Sequence, residues 1–253
     1  MKLFYSGLTQ KGRNHPSNED AFLVFIPQKE ELWARKGALF LIADGVGGHQ
    51  EGALASKLAT EIIRDIYYSH PKEGIEALKE AFWKAHKKIC QKALELQNNM
   101  ATTATALVLL PSWFLYGHVG NTRLYLLREK ELKLLTPDHT LVADLLRKGI
   151  ISKEEAKRHP KRHILTQALG INIEPFFGKD SLREGDRFIL CSDGVHEFLE
   201  EKEIKKILLK KGPLSQQTRE IMDLLAKKRY PDDATLVLVE TALNSSVHRI
   251  SGK

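Results

Sequence analysis

Cysteine is scarce in this chain. Cys90 and Cys191 are the only two in 253 residues, and no ligand-type spacing surrounds either, which excludes a disulfide framework and a cysteine-based zinc site. Buried free thiols are expected instead. Long apolar runs are also missing: nothing approaches the roughly 18 residues that a membrane span requires. The opening "MKLFYSGLTQK" lacks the sustained apolar stretch of a signal peptide, so a cytoplasmic protein with no membrane association is expected. There is no internal repeat and no low-complexity linker, so a single domain is expected over 1–240, followed by a polar tail at 241–253. Lys and Arg number 39 against 32 Asp and Glu, a net charge of +7. That excess suits anionic partners of any kind and does not choose among them.

Strand-like runs open the chain at Leu3 to Leu8, Ala21 to Pro27 and Ala38 to Ala43, each apolar and bounded by Gly, Pro, Asn or Asp, with no helix predicted among them. Helical periodicity follows. Leu54, Leu58, Ile62, Ile63 and Ile66 share one face, and Ile75, Leu78, Phe82, Ala85, Ile89 and Leu94 do so again after Pro71, predicting two long amphipathic helices. Four strand-like segments at 103–110, 112–119, 123–129 and 131–136 are joined by very short links and read as a meander. "DRFILCSD" (186–193), helical stretches at 200–211 and 216–229, and a final strand "ATLVLVE" (234–240) complete the pattern. Strands cluster before and after helix pairs instead of alternating with them, which predicts an α+β fold with antiparallel sheets and helices packed outside.

Carboxylates recur where apolar runs stop or turn: Glu19 and Asp20 in "NED", Asp44 in "LFLIADGVGGHQEG", Asp193 in "LCSDG", and Asp232 with Asp233 in "YPDDAT". Any one of these reads as a turn former or helix cap. An acid at the edge of a core is nevertheless costly unless paired, hydrogen-bonded or bound to a cation, and four such places weaken the turn reading. Oxygen donors without convergent Cys or His select Mg²⁺ or Mn²⁺ over zinc. Gly45, lacking a side chain, lets its own carbonyl approach an ion closely. The glycines around His49 could instead cradle a phosphate, but "DGVGGHQEG" has neither the lysine of a Walker loop nor the spacing of a dinucleotide fingerprint.

In this order the residues resemble the metal-dependent serine/threonine protein phosphatases of the PPM (PP2C) family, in its short bacterial form. The resemblance spans nearly the whole chain through "NEDAF" (18–22), "ADGVGGHQEGALAS" (43–56), "MATTATALVL" (100–109), "GHVGNTRLY" (117–125), "LTPDHTLVADLLRKGIISKEEA" (135–156), "HPKRHILTQALG" (159–170), "LCSDGV" (190–195) and "DDATLVLV" (232–239). It implies a central antiparallel β-sandwich flanked by helix pairs on both faces, in α-β-β-α layers. It also implies two Mn²⁺ or Mg²⁺ ions at one end of the sandwich, whose bridging hydroxide attacks phosphoserine or phosphothreonine in line. Asp44 matches the bridging ligand and the Gly45 carbonyl a ligand of one ion. Asp193 and Asp232 match ligands of the other, Asp232 being preferred to Asp233 because the family pattern places the ligand first. Glu19 and Asp20 match the acidic pair that holds metal-bound water, so Asp44 and Asp20 are catalytic candidates. His49 is either a proton donor to the leaving oxygen or a histidine hydrogen-bonded in its loop. The basic segment 141–163 corresponds to a flap beside the site. His159 and His163 within it are separated by Pro160, which argues against one helix presenting both to a metal. The implied partners are phosphorylated proteins and an opposing serine/threonine kinase, without nucleic acid, and the chain is expected to be a monomer.

Two positions depart from the family pattern. A phosphate-binding arginine usually stands where this chain has His15, with Arg13 two residues earlier; arginine grips phosphate with a fixed two-pronged fork that histidine lacks. Asn121 in "GNTR" replaces an aspartate that helps bind a third metal, and its neutral amide predicts an ion weakly held there or absent. These departures keep two alternatives in view: a catalytically weak adaptor binding a phosphoprotein or kinase, and a phosphatase dedicated to one small regulatory protein.

Overall fold

The computed structural model describes residues 1–46, 50–228 and 230–242. Two antiparallel sheets face one another. One runs β1 (Lys2–Gln10), β11 (Ala234–Ala242), β10 (Arg187–Cys191), β7 (Arg123–Arg128), β8 (Glu131–Leu134) in spatial order. The other runs β2 (Asp20–Phe25), β3 (Ala38–Val46), β5 (Ala104–Leu109), β6 (Trp113–Val119), β9 (Phe176–Ser181), with the two-residue β4 (Ala101–Thr102) pairing the end of β3.

The run "ALFLIA" shows why helices cover the sandwich. Side chains alternate between the faces of a strand, yet all six residues are apolar because both faces are covered. Leu39, Leu41 and Ala43 pack with Ile63 of α2 (Gln50–Ser69) and Phe82 of α3 (Gly74–Leu96). Ala38, Phe40 and Ile42 point the other way, into the layer between the sheets, against Phe114, Phe188 and Val237. The outer face of the β1–β8 sheet meets α7 (Glu201–Leu208) and α8 (Leu214–Lys227) through Ile189, Leu236, Ile204, Ile221 and Leu225. The layers are therefore α-β-β-α, as the resemblance implied. Each fully buried aliphatic or aromatic chain contributes about 1.5–3 kcal/mol.

Three differences from the sequence reading have physical causes. A helix, α1 (Glu30–Lys36), stands between β2 and β3. Its signal is electrostatic: Glu30 and Glu31 occupy the first turn and Arg35 and Lys36 the last, matching the helix dipole. Lys36 is nonetheless buried, and its Nζ donates to the carbonyls of Tyr67 (3.1 Å), His70 (2.8 Å) and Lys72 (2.5 Å) at and beyond the C-terminal end of α2.

The four segments read as a meander are two hairpins in opposite sheets: β5–β6 belongs to one and β7–β8 to the other. The chain crosses at Gly120, whose φ is +106° and where a Cβ would stand 2.5 Å from Thr103 Cγ2, so only glycine can make the bend. Strand β9 left no pattern in the sequence, being mostly exposed and polar beyond its two phenylalanines. Strand β11 runs through Ala242 with Thr241 buried, so the folded unit passes the predicted limit of 240 by two residues. Residues 243–253 of the predicted tail lie outside the described residues.

The segment 141–163 carries two short helices, α4 (Leu141–Arg147) and α5 (Lys153–Arg158). Thr140 Oγ1 accepts from Ala143 N at 3.1 Å, and Ser152 and Glu155 form a capping box. Arg123 anchors the base of the segment by a two-pronged ion pair with Asp138, at 2.9 and 2.6 Å.

Candidate active site

The strand ends carrying the predicted acids open on one end of the sandwich. Asp20 begins β2 and lies opposite Asp44 near the end of β3. Cys191 ends β10 opposite Arg123 at the start of β7, placing Asp193, in the single-turn helix α6 (Asp193–His196), beside Asn121. Asp232 stands two residues before the start of β11. A cleft of about 460 Å³ lies among them, lined on its polar side by His15, Glu19, Asp44, Gly45, Asn121, Asp193 and Asp232.

Hydrogen bonds from neighbouring residues hold these groups. The backbone of Asp44 is clamped by Thr103, whose Oγ1 accepts from Asp44 N at 2.9 Å and whose N donates to Asp44 O at 2.9 Å. Ser192 Oγ donates to Asp20 Oδ2 (2.7 Å) and accepts from Thr235 N (2.9 Å), linking the two sheets at the cleft. Gly45 is glycine for a packing reason as well: a Cβ there would stand 2.1 Å from Gly52 O, and one on Gly52 would stand 2.3 Å from Glu19 Oε2. The close approach of β3, α2 and Glu19 depends on both.

The adjacent acids of "DDAT" separate cleanly. Asp232 lines the cleft, whereas Asp233 is buried and accepts from Gly12 N (2.7 Å), Glu19 N (2.7 Å) and His15 Nδ1 (2.9 Å). Asp233 is therefore the hub that positions Glu19 and His15, a role the sequence reading missed because it depends on partners more than 200 positions away. Of the two phosphate-binding candidates, His15 lines the cleft while Arg13 is exposed and outside its lining. Burial lowers the His15 pKa, but the hydrogen bond to Asp233 and the charges of Asp233, Asp232 and Glu19 outweigh it and leave it raised. His49, with Gly47 and Gly48, lies outside the described residues.

Burial is the first cause of raised carboxyl pKa values here, and mutual repulsion adds to it: Asp20 is pushed up to about 7 and Asp193 to about 6, with Asp44 well above the usual carboxylate range. Asp20 Oδ1, Asp193 Oδ1 and Asn121 Oδ1 are buried without a hydrogen-bond partner among the described residues. Asn121 spends its Nδ2 on Asp193 Oδ2 at 2.8 Å, which leaves that amide oxygen over. Crowded anionic oxygens with unused lone pairs fit hard divalent cations, which supply the missing charge and accept oxygen ligands. A further group was not legible beforehand. His163 Nδ1 lies 3.2 Å from Glu197 Oε1 and Arg162 Nε lies 3.7 Å from Glu197 Oε2, tying the end of the basic segment to the residue after α6. His163, Glu197 and Asp193 bring their donor atoms within 4.8 Å of one another. As Pro160 indicated, His159 and His163 do not share a helix, since α5 ends at Arg158.

This arrangement has relatives. Residues 10–241 match the family model for protein phosphatase 2C, and the chain belongs to that family. Serine/threonine phosphatase stp of Listeria monocytogenes is 33% identical over 251 residues, covering 93% of this chain and 94% of that protein. Protein phosphatase PhpP of Streptococcus pneumoniae is 30% identical over 241 residues, covering 92% and 95%. Among solved structures, the Mycobacterium tuberculosis serine/threonine phosphatase PstP/Ppp superposes with a TM-score of 0.83 at 30% identity, covering 95% of this chain and 99% of that one. A structure of the catalytic domain of PstP in complex with two manganese ions gives 0.81 at 29% identity, covering 95% and 98%.

Proposed function

We propose that the acidic cleft hydrolyses phosphoserine and phosphothreonine esters in proteins, with Asp44, Gly45, Asp193 and Asp232 holding two Mn²⁺ or Mg²⁺ ions and Glu19 and Asp20 facing them from the start of β2. The observation carrying this reading is the convergence of Asp20, Asp44 and Asp193 at one end of the sandwich, with a buried, unpartnered carboxylate oxygen on Asp20 and on Asp193. Family membership and the manganese pair in a relative of the same fold support it. When bound, such a pair supplies a nucleophilic water at neutral pH and neutralises charge on the phosphoryl group.

The chain's own residues do the rest. Asp44, anchored by Thr103, sets the floor of the site. Asp20 Oδ1, with no hydrogen-bond donor, is available to take a proton, while Ser192 holds the other carboxylate oxygen. His15 is oriented by Asp233 Oδ2 through Nδ1 and holds its Nε2 3.4 Å from Asp232 Oδ1 at the cleft, and serves as the phosphate-side cation when protonated. Arg13 is set aside because it stands outside the lining. Retention of oxygen donors at all the matched positions weighs against the adaptor reading. Substrates of this kind presuppose a serine/threonine kinase that makes them, which is the partner we assign. The two free thiols, Cys90 and Cys191, fit a reducing cytoplasm.

The test is hydrolysis of p-nitrophenyl phosphate and of a phosphothreonine peptide with Mn²⁺, with EDTA, and with Asp193→Asn. Turnover that needs Mn²⁺ and falls at least a hundredfold in the variant is expected. A wild-type protein inactive with Mn²⁺ from pH 6 to 9 overturns the reading.

A further inference from the structure

The cleft is not lined by acids alone. Val46, Ala101, Ile164, Leu165, Ala168 and Ile171 line it as well, with His163 next to Ile164, and give it an apolar wall. Three of these are large aliphatic residues left open to water: Val46 is 42% exposed, Ile164 47% and Ile171 52%. Single exposed apolar residues are ordinary, whereas a contiguous apolar surface beside a site marks a place where something docks.

The three come from separate parts of the chain, so their meeting is a product of the fold. Val46 ends β3 and pairs with Ala101 of β4. Ile164 follows the basic segment and accepts from Leu141 N through its carbonyl at 2.9 Å. Ile171 sits on a turn closed by Ile171 N donating to Ala168 O (3.2 Å) and Ala168 N donating to Asn172 O (3.0 Å). Reciprocal bonds between Thr102 and Leu169, both 2.9 Å, fasten that turn to β4. The wall is thus held in place before any ligand arrives, which lowers the cost of using it.

We propose that this wall seats a bulky aliphatic or aromatic side chain flanking the phosphorylated residue, so that the preferred substrates are phosphoproteins with an apolar neighbour within two positions of the phosphate. The inference rests on the phosphatase reading above. A phosphoryl group drawn to the acidic, cation-holding side leaves the adjoining peptide against the apolar side, because both sides line one cleft. Of the basic segment 141–163, Arg147, Lys153 and Arg158 are exposed and outside the lining, and the His163 that does line the cleft is 3.2 Å from Glu197 Oε1.

The experiment measures kcat/KM with Mn²⁺ on phosphothreonine peptides in which each of the four flanking positions is in turn Ala, Leu, Phe or Glu. At one flanking position, Leu or Phe should exceed Ala by about tenfold, the usual worth of an added apolar group in a pocket. That gain, read as the ratio to the all-Ala peptide in the same variant, should fall below about threefold in Ile171→Ser and in Ile164→Ser; both substitutions are at exposed positions, where the fold tolerates them. Equal rates across the panel, a preference for Glu, or an apolar gain that survives both substitutions overturns the inference and leaves the phosphatase reading standing. Failure to cleave any peptide overturns both.

Discussion

Asp20 and Asp44 lie directly opposite one another across the β2–β3 pair, two carboxylates where like charges destabilise a sheet. The fold maintains this repulsion at the cleft, and a cation held between them would relieve it. Mn²⁺ at a hundred times its dissociation constant should therefore raise unfolding stability by about 2.7 kcal/mol, and EDTA should remove that gain. Asp20→Asn should stabilise the metal-free protein by up to about 1 kcal/mol while shrinking its response to Mn²⁺. Thermal unfolding in EDTA and in Mn²⁺ checks both, and a midpoint indifferent to Mn²⁺ in the wild type would count against a cation at these carboxylates.

The neighbours Asp232 and Asp233 should separate activity from stability. Asp233→Ala strips the acceptor from Gly12 N and Glu19 N, and each buried donor left unpaired costs about 1–3 kcal/mol. Asp232→Asn, at a cleft-facing and half-exposed position, should change stability by less than about 0.5 kcal/mol while abolishing most turnover. Urea unfolding beside peptide hydrolysis tests the contrast. Should Asp233→Ala unfold like the wild type, the hub assignment is wrong.

His118 gives the protein an acid sensitivity remote from the carboxylates. Its Nε2 stands 2.8 Å from the carbonyl of Pro137 and its Nδ1 2.8 Å from Thr105 Oγ1. The ring therefore donates to Pro137 and accepts from Thr105, which is the neutral form. Burial, reinforced by the nearby His139, pushes its pKa down to about 3 from the usual 6.5. Below pH 6.5 the unfolded chain takes a proton that the folded chain refuses until about pH 3, so stability falls with pH through that window. The loss is about 1.4 kcal/mol per pH unit relative to His118→Gln. Denaturation midpoints of the two proteins between pH 7.5 and 5 should converge as the medium is acidified; parallel curves would show that His118 is not held neutral.

Lys36 should matter to stability alone. Its ammonium serves three backbone carbonyls around the end of α2, and the residue stands just before the start of β3, whereas Asp44 lies near that strand's other end. Lys36→Met keeps most of the aliphatic bulk but leaves those acceptors unserved, at a cost of about 1–3 kcal/mol, with kcat and KM for a phosphopeptide unchanged. A fall in kcat with unaltered urea midpoint would contradict this.

Much of this was legible in the sequence where a residue's burden is carried by its immediate neighbours. Apolar runs ending in Asp44 and Asp193, or beginning beside Asp20 and Asp232, marked strand ends with acids on them. The 3.6-residue periodicity of α2 and α3 marked the helices that cover one face. What stayed hidden depends on partners. Helix α1 has charge order but little apolar period, and β9 is too exposed to show alternation. The crossing at Gly120 is invisible because two hairpins and a meander share one pattern of runs and turns.

By itself, then, residue patterning determined antiparallel sheets with helices outside them, an acidic oxygen-donor site, and the strand ends that build it, because strand period and apolar content depend on short-range burial; the α-β-β-α layering was what the family resemblance implied. The resemblance already preferred Asp232 for the site, but the tertiary structure alone showed that Asp233 supports Glu19 and His15, and that His15 reaches the cleft while Arg13 does not. It alone gathered Val46, Ile164 and Ile171 into an apolar wall opposite the acids. Those choices follow from which backbone donors and side chains the packing of two sheets brings within hydrogen-bond or contact distance, and no local pattern of residues encodes that.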